Sequence, residues 1–246
     1  ISFGPRSATG LFMQPISDAN GWGRDVFALA FAVQNLLWGL GQPFAGAIAD
    51  RFGTLRVLCG GALLYAVGLV LMTYSTTPLS FNITVGVMIG FGLSGCSFNL
   101  VVAALGKLVP DHLRSLAFGA GTAAGSFGQF LFAPLGAALI ANYGWAFALF
   151  VFAAAVMLII PFSLALATAP AATRTDPGAD APQSLRHALS EAFAHRSYVL
   201  LVLGFFTCGF QLAFITAHLP AYLVDRGLTV QVGGWVIATI GLFNIV

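Results

Sequence analysis

Gly46-Ala47-Ile48-Ala49-Asp50-Arg51-Phe52-Gly53-Thr54-Leu55-Arg56 decides the fold. It places charge and glycine between two long apolar runs, 26–48 and 57–73. Each run is about long enough to cross a hydrocarbon layer, which takes roughly 20 helical residues. A polar connection this short makes the two helices antiparallel neighbours. Gly46 and Gly53 are read as letting the backbone turn and approach closely, with Asp50, Arg51 and Arg56 at the water interface.

Composition extends this reading to the whole chain. Of 246 residues only 7% are charged and 59% are hydrophobic, with a mean hydropathy of +0.92. A soluble domain carries about 25% charged residues, so the fold class is an all-α polytopic membrane protein. The net charge of +2 comes from basic residues scattered through loops and does not point to nucleic acid. Cys59, Cys96 and Cys208 fall inside apolar runs and read as small buried hydrophobes. The three cysteines and four histidines form no ligand cluster, so neither a metal nor a redox cofactor is expected.

In order, the sequence predicts a first helix over 1–16, a polar loop over 17–24, and a second helix running to the quoted loop. A third helix is expected over 56–75, a fourth over 81–104, a fifth over 115–141 and a sixth over 145–167. Residues 168–182 hold Pro170, Pro177 and Pro182 without apolar periodicity and read as a linker. Ser184 is expected to cap an amphipathic helix in which Leu185, Ala188, Leu189, Ala192 and Phe193 share a face, suited to a membrane surface. A seventh helix follows over 197–224, and an eighth begins near Gln231. With the quoted loop in the cytoplasm, Arg51, Arg56, Lys107, Arg114, Arg174, Arg186 and Arg196 lie inside, and only Arg24 and Arg226 outside.

One basic residue is left over. Arg6 lies within the first helix, about 15 Å from its outer end at 1.5 Å per residue, near the bilayer midplane. No visible span contains an acid to neutralise it, since Asp18, Asp25, Asp50, Asp111, Asp176, Asp180, Glu191 and Asp225 all fall in loops or at helix ends. A central arginine costs about 2.5–3.5 kcal/mol on insertion scales and marks a functional site by default. A guanidinium facing a cavity favours an anion, holding a carboxylate through two parallel hydrogen bonds. Asn35, Gln129, Gln211 and Asn244 stand at similar expected depth and complete a candidate binding set, with Gln34 and Tyr65 behind them. Each of these also reads as interhelical glue.

The stretch 46–56 resembles the signature loop of the major facilitator superfamily, Gly-x-x-x-Asp-Arg-x-Gly-x-x-Arg/Lys, with all five marked positions present. The resemblance implies two six-helix halves, so the chain is expected to be a fragment: the N-terminal half (1–167), a cytoplasmic linker (168–196) and the start of the C-terminal half (197–246). It also implies that Gly46, Asp50, Arg51, Gly53 and Arg56 form a conformational latch. Gly4-Pro5-Arg6-Ser7-Ala8-Thr9-Gly10-Leu11-Phe12-Met13-Gln14-Pro15, then Gly21-Trp22-Gly23-Arg24, is similar to the monocarboxylate porter and oxalate/formate exchanger branch. So are Ala124-Gly125-Ser126-Phe127-Gly128 and Tyr143-Gly144-Trp145.

That branch implies a secondary transporter of small organic anions, moved with protons or by exchange, in a bacterial-type inner membrane. Asn244 stands where proton-coupled animal members carry Asp, and it cannot titrate. An exporter of another metabolite or drug is the alternative, although the fifth helix lacks the Gly-Pro-x-x-Gly-Gly pattern of drug/proton antiporters. Gly92-Leu93-Ser94-Gly95 with His218 also matches a rhomboid-like serine protease pattern, but Ser94 sits in a glycine-rich packing helix and His218 near the opposite end of its span. The expectation is therefore no enzyme.

Overall fold

The computed structural model describes residues 1–166 and 185–245, and every regular element among them is helical. The linker expected at 168–182 and the cap at Ser184 lie outside the described residues. Five helical stretches are long and apolar enough to cross a membrane: Thr54–Thr73, Pro78–Leu108, Asp111–Tyr143, Trp145–Leu166 and Arg196–Asp225. These are the third to seventh helices. The second, Arg24–Phe52, has 29 residues, the eighth is Val230–Phe243, and the short helix before the seventh is Leu185–Ala194.

The first helix departs from expectation. It is broken into an α-helix Phe3–Ser7, a 3₁₀ segment Thr9–Phe12 and an α-helix Met13–Asn20. Thr9 Oγ1 donates to the Arg6 carbonyl at 2.6 Å, and Pro15 has no N–H to offer the carbonyl four residues back. At the same point Gly10 lies against the Thr216 carbonyl of the seventh helix, leaving no room for a Cβ. The element also runs past Ile16 to Asn20, so the polar loop shrinks to Gly21–Gly23.

The turn between the second and third helices is likewise tighter than expected. Helix continues through Asp50 and Arg51 to Phe52 and restarts at Thr54, so Gly53 alone makes the turn. Its φ of 90° is a region that favours glycine. Gly46 takes no part in that turn: it sits inside the helix with nothing within 4 Å of a built Cβ.

The fourth helix changes pitch instead of running evenly. Asn82–Met88 is π-helical, and at its start Asn82 Nδ2 donates to the Pro78 carbonyl at 2.8 Å and Thr84 Oγ1 to the Ser80 carbonyl at 3.0 Å. A second break at Cys96–Ser97 precedes Phe98–Leu108.

The core of the first six helices is aromatic. Phe12 meets Phe152 edge-on with ring centres 5.6 Å apart, and Phe152 meets Phe132 at 5.4 Å. Tyr65, Phe27 and Phe81 are also fully enclosed. Where the third and fourth helices cross, their backbones touch: a Cβ on Gly61 would lie 2.8 Å from the Gly95 Cα. Small residues permit such an approach where lipid supplies no hydrophobic drive. The glycines of the fifth helix do not all serve this purpose, since Gly119 and Gly125 face open space. The seventh helix packs on the first, and the eighth makes its broadest contact with the fifth.

Gly61→Ala should therefore lower the thermal midpoint by several degrees, since overpacking costs about 1–3 kcal/mol. Gly60→Ala, with nothing within 4 Å, should leave the midpoint unchanged or raise it. Equal midpoints in a melt of the purified variants would refute this account of the crossing.

Candidate functional site

Arg6 is only 5% exposed. Its helical piece is clamped on two sides: the Phe132 ring rests on Gly4, where a Cβ would collide with it, and Ser2 Oγ donates to the Cys96 carbonyl at 3.0 Å. The guanidinium therefore points where the backbone puts it. Arg6 Nη2 donates to Asn35 Oδ1 at 2.5 Å. Asn35 is itself oriented by Nδ2 donating to the Phe31 carbonyl at 2.7 Å, one turn back on the second helix.

Three rings enclose the charge. The guanidinium carbon lies 4.4 Å from the Trp38 ring centre, 5.8 Å from Phe31 and 5.9 Å from Phe3. The negative faces of these rings supply the attraction that a carboxylate would otherwise give. Among the described residues, none of the ion pairs includes Arg6. Arg6 Nε and Trp38 Nε1 are buried without a hydrogen-bond partner.

The other sequence candidates do not gather around this guanidinium. Gln129 is buried in the fifth helix and donates to the Ile237 carbonyl of the eighth at 3.3 Å, tying the two together. Asn244 follows the eighth helix as an exposed residue, and its carbonyl accepts from Ser126 Oγ at 3.4 Å. Gln211 is exposed on the seventh helix. Gln34 and Tyr65 line a small enclosed cavity with Pro5, Thr9 and Met72, and Gln34 Oε1 has no partner there.

Phe3, Phe31 and Trp38 were not singled out from the sequence. The available signal was spacing, since Phe31 and Trp38 stand four residues before and three after Asn35, on one helical face. Ser94 is buried against the second helix, its hydroxyl 2.9 Å from the Trp38 carbonyl. His218 is exposed and packs beside Phe214, with ring centres 5.1 Å apart.

Charged contacts mark the two ends of the bundle. At the Gly53 end, Lys107 Nζ donates to Asp50 Oδ1 at 2.8 Å, joining the second and fourth helices. Arg51 lies over the Phe52 ring at 5.3 Å, and Arg56 is exposed. At the Gly21 end, Arg24 holds Asp225 through two hydrogen bonds of 2.6 Å and donates to Gln14 Oε1 at 2.7 Å. That contact joins the first, second and seventh helices.

Residues 1–246 match the family model described as "Major Facilitator Superfamily". The chain belongs to the major facilitator superfamily. It is an integral, multi-pass membrane protein of a transporter family. It is 26% identical over 98% of its length to the uncharacterized MFS-type transporter YcxA of Bacillus subtilis (strain 168), covering 58% of that protein. It is 27% identical to monocarboxylate transporter 13 of Bos taurus and 30% identical to monocarboxylate transporter 11 of Homo sapiens, each over 82% of this chain and 45% and 41% of those proteins. The chain thus spans about half the length of the curated relatives it matches.

The Asp50–Lys107 pair is exposed, at 66% and 53% of the side chains, and such pairs contribute about 0–1 kcal/mol. Asp50→Asn should shift the thermal midpoint by no more than about 4 °C. A larger drop in a melt of the purified variant would mean that the pair holds the fold itself.

Proposed function

We propose that the complete protein is a secondary active transporter of small organic anions that works by alternating access, with the Arg6 guanidinium as an anion contact. The observation that carries this reading is a cation buried among aromatic rings whose one hydrogen-bond partner among the described residues is neutral. A full positive charge is retained in hydrocarbon at a cost of about 2.5–3.5 kcal/mol, and an anionic ligand offsets that cost when it binds. The names of the two monocarboxylate transporter relatives support a small carboxylate as substrate. On this reading residues 1–167 are the first half, 168–196 the cytoplasmic connection and 197–246 the start of the second half. The setting is a bacterial-type inner membrane, in keeping with the Bacillus relative. Asn35 orients the guanidinium, while Gln129, Gln211 and Asn244 take the substrate only in a conformation that brings them to it.

The end contacts fit a cycle. On this reading Arg24–Asp225 spans the two halves at the outer end and is the contact that closes it. Both side chains are roughly half exposed, at 46% and 43%. A pair worth about 1 kcal/mol or less holds one state without trapping it. Asp50 and Arg51 act as the opposing latch at the cytoplasmic end.

Uptake of labelled lactate, pyruvate and oxalate into proteoliposomes of the complete protein tests the substrate, with and without a pH gradient. Arg6→Gln should lose uptake of whichever carboxylate the wild type carries, at unchanged thermal midpoint. Equal uptake would remove Arg6 from the site, and no uptake of any carboxylate by wild type would favour a carrier of another metabolite or drug. For the outer latch, Arg24→Asp should slow uptake severalfold and the double exchange Arg24→Asp/Asp225→Arg should restore most of it. A double exchange as slow as the single one would show that the pair is not the latch.

A further inference from the structure

Four buried side-chain polar atoms among the described residues have no hydrogen-bond partner: Arg6 Nε, Gln34 Oε1, Trp38 Nε1 and Asn82 Oδ1. Two of the four, Arg6 Nε and Trp38 Nε1, are donors on side chains stacked against each other. We infer that the Trp38 indole N–H is a second hydrogen-bond donor to the carboxylate held by Arg6. The inference rests on the reading of Arg6 as an anion contact and adds a residue to that site.

Geometry carries it. The Arg6 guanidinium carbon is 4.4 Å from the Trp38 ring centre, so with N–C bonds of about 1.3 Å the two unpartnered nitrogens lie within roughly 8 Å of each other. A carboxylate accepting one bond of about 2.9 Å on each oxygen spans such a gap. Asn35 takes an Nη2 hydrogen and leaves Nε–H free for this use. The cation needs only the face of a ring, and Phe3 and Phe31 provide that without any N–H. Trp38 is the member of the box that adds a donor.

The backbone fixes where that donor sits. Ser94 Oγ lies 2.9 Å from the Trp38 carbonyl, and a Cβ on Gly41, three residues further on, would run into the Ser94 side chain. The second and fourth helices are therefore locked together at this level. Donor position is set by a rigid crossing, and the donor is sealed from solvent in the conformation described. A carboxylate reaches it in a conformation that opens the ring box to solvent.

Trp38→Phe keeps the ring and removes the N–H. In proteoliposomes of the complete protein, with the carboxylate that the wild type carries, it should raise KM about tenfold or more. The maximal rate should stay within about twofold, and the thermal midpoint should not change. Trp38→Ala, which removes the ring as well, should be worse in both KM and thermal midpoint. A wild-type KM in Trp38→Phe beside an impaired Arg6→Gln would overturn the inference and leave Arg6 as the contact. Wild-type uptake in Arg6→Gln would overturn the underlying reading instead. Wild-type protein with ¹⁵N-labelled tryptophan needs no variant to fold: saturating carboxylate should move one indole N–H resonance, and no movement would overturn the inference.

Discussion

Burying one guanidinium with no carboxylate beside it among the described residues is the constraint that shapes the surroundings of Arg6. Hydrogen bonding alone does not satisfy it, because Asn35 is neutral and itself needs orienting. The rings of Trp38, Phe31 and Phe3 provide the rest. They can do so only because the backbone bearing Arg6 is fixed, with the Phe132 ring on Gly4 and Ser2 bonded to the Cys96 carbonyl. Removing Phe132 from that seat would free the chain segment and let the charge seek water. The aromatic core through Phe152 and Phe12 is thus part of the support for the charge.

Around that point the bundle is held by close backbone approaches. The third and fourth helices meet at Gly61 against Gly95, and the second and fourth at Gly90 against the Gln34 carbonyl. Such crossings have no slack and behave as a solid unit. The first and seventh helices, and the fifth and eighth, also approach backbone to backbone, at Gly10 against the Thr216 carbonyl and at Gly241 against Phe130, with side-chain hydrogen bonds from Gln129 to the Ile237 carbonyl and from Ser126 to the Asn244 carbonyl. The exposed ion pairs at the two ends add contacts weak enough to exchange.

Much of the architecture was legible before any coordinates. Helices of membrane length follow from runs with almost no charge, and Gly53 follows from the need for a positive φ between two of them. Arg6 stood out because a charge in such a run is costly to place in hydrocarbon. The breaks in the first and fourth helices were harder to see. At these breaks Thr9, Asn82 and Thr84 donate to carbonyls about a turn away, local detail that hydropathy does not register. Gly119 and Gly125 show the converse error, since a glycine-rich face implies close packing only where another backbone lies opposite.

The sequence by itself determined the fold class, the approximate spans and the family-type turn at 46–56, and it singled out Arg6, which is buried. Each rests on local chemistry: the free energy of placing a residue in hydrocarbon depends on that residue and its near neighbours. What surrounds the cation was decided by tertiary structure alone. Asn35 and Trp38 reach Arg6 from another helix, Asp225 reaches Arg24 across 201 residues of chain, and Gln129 turns to a carbonyl of the eighth helix. Those pairings depend on the rotation and depth at which each helix packs. Side-chain shape and backbone approach along whole crossings set that rotation, and no short stretch of sequence records it.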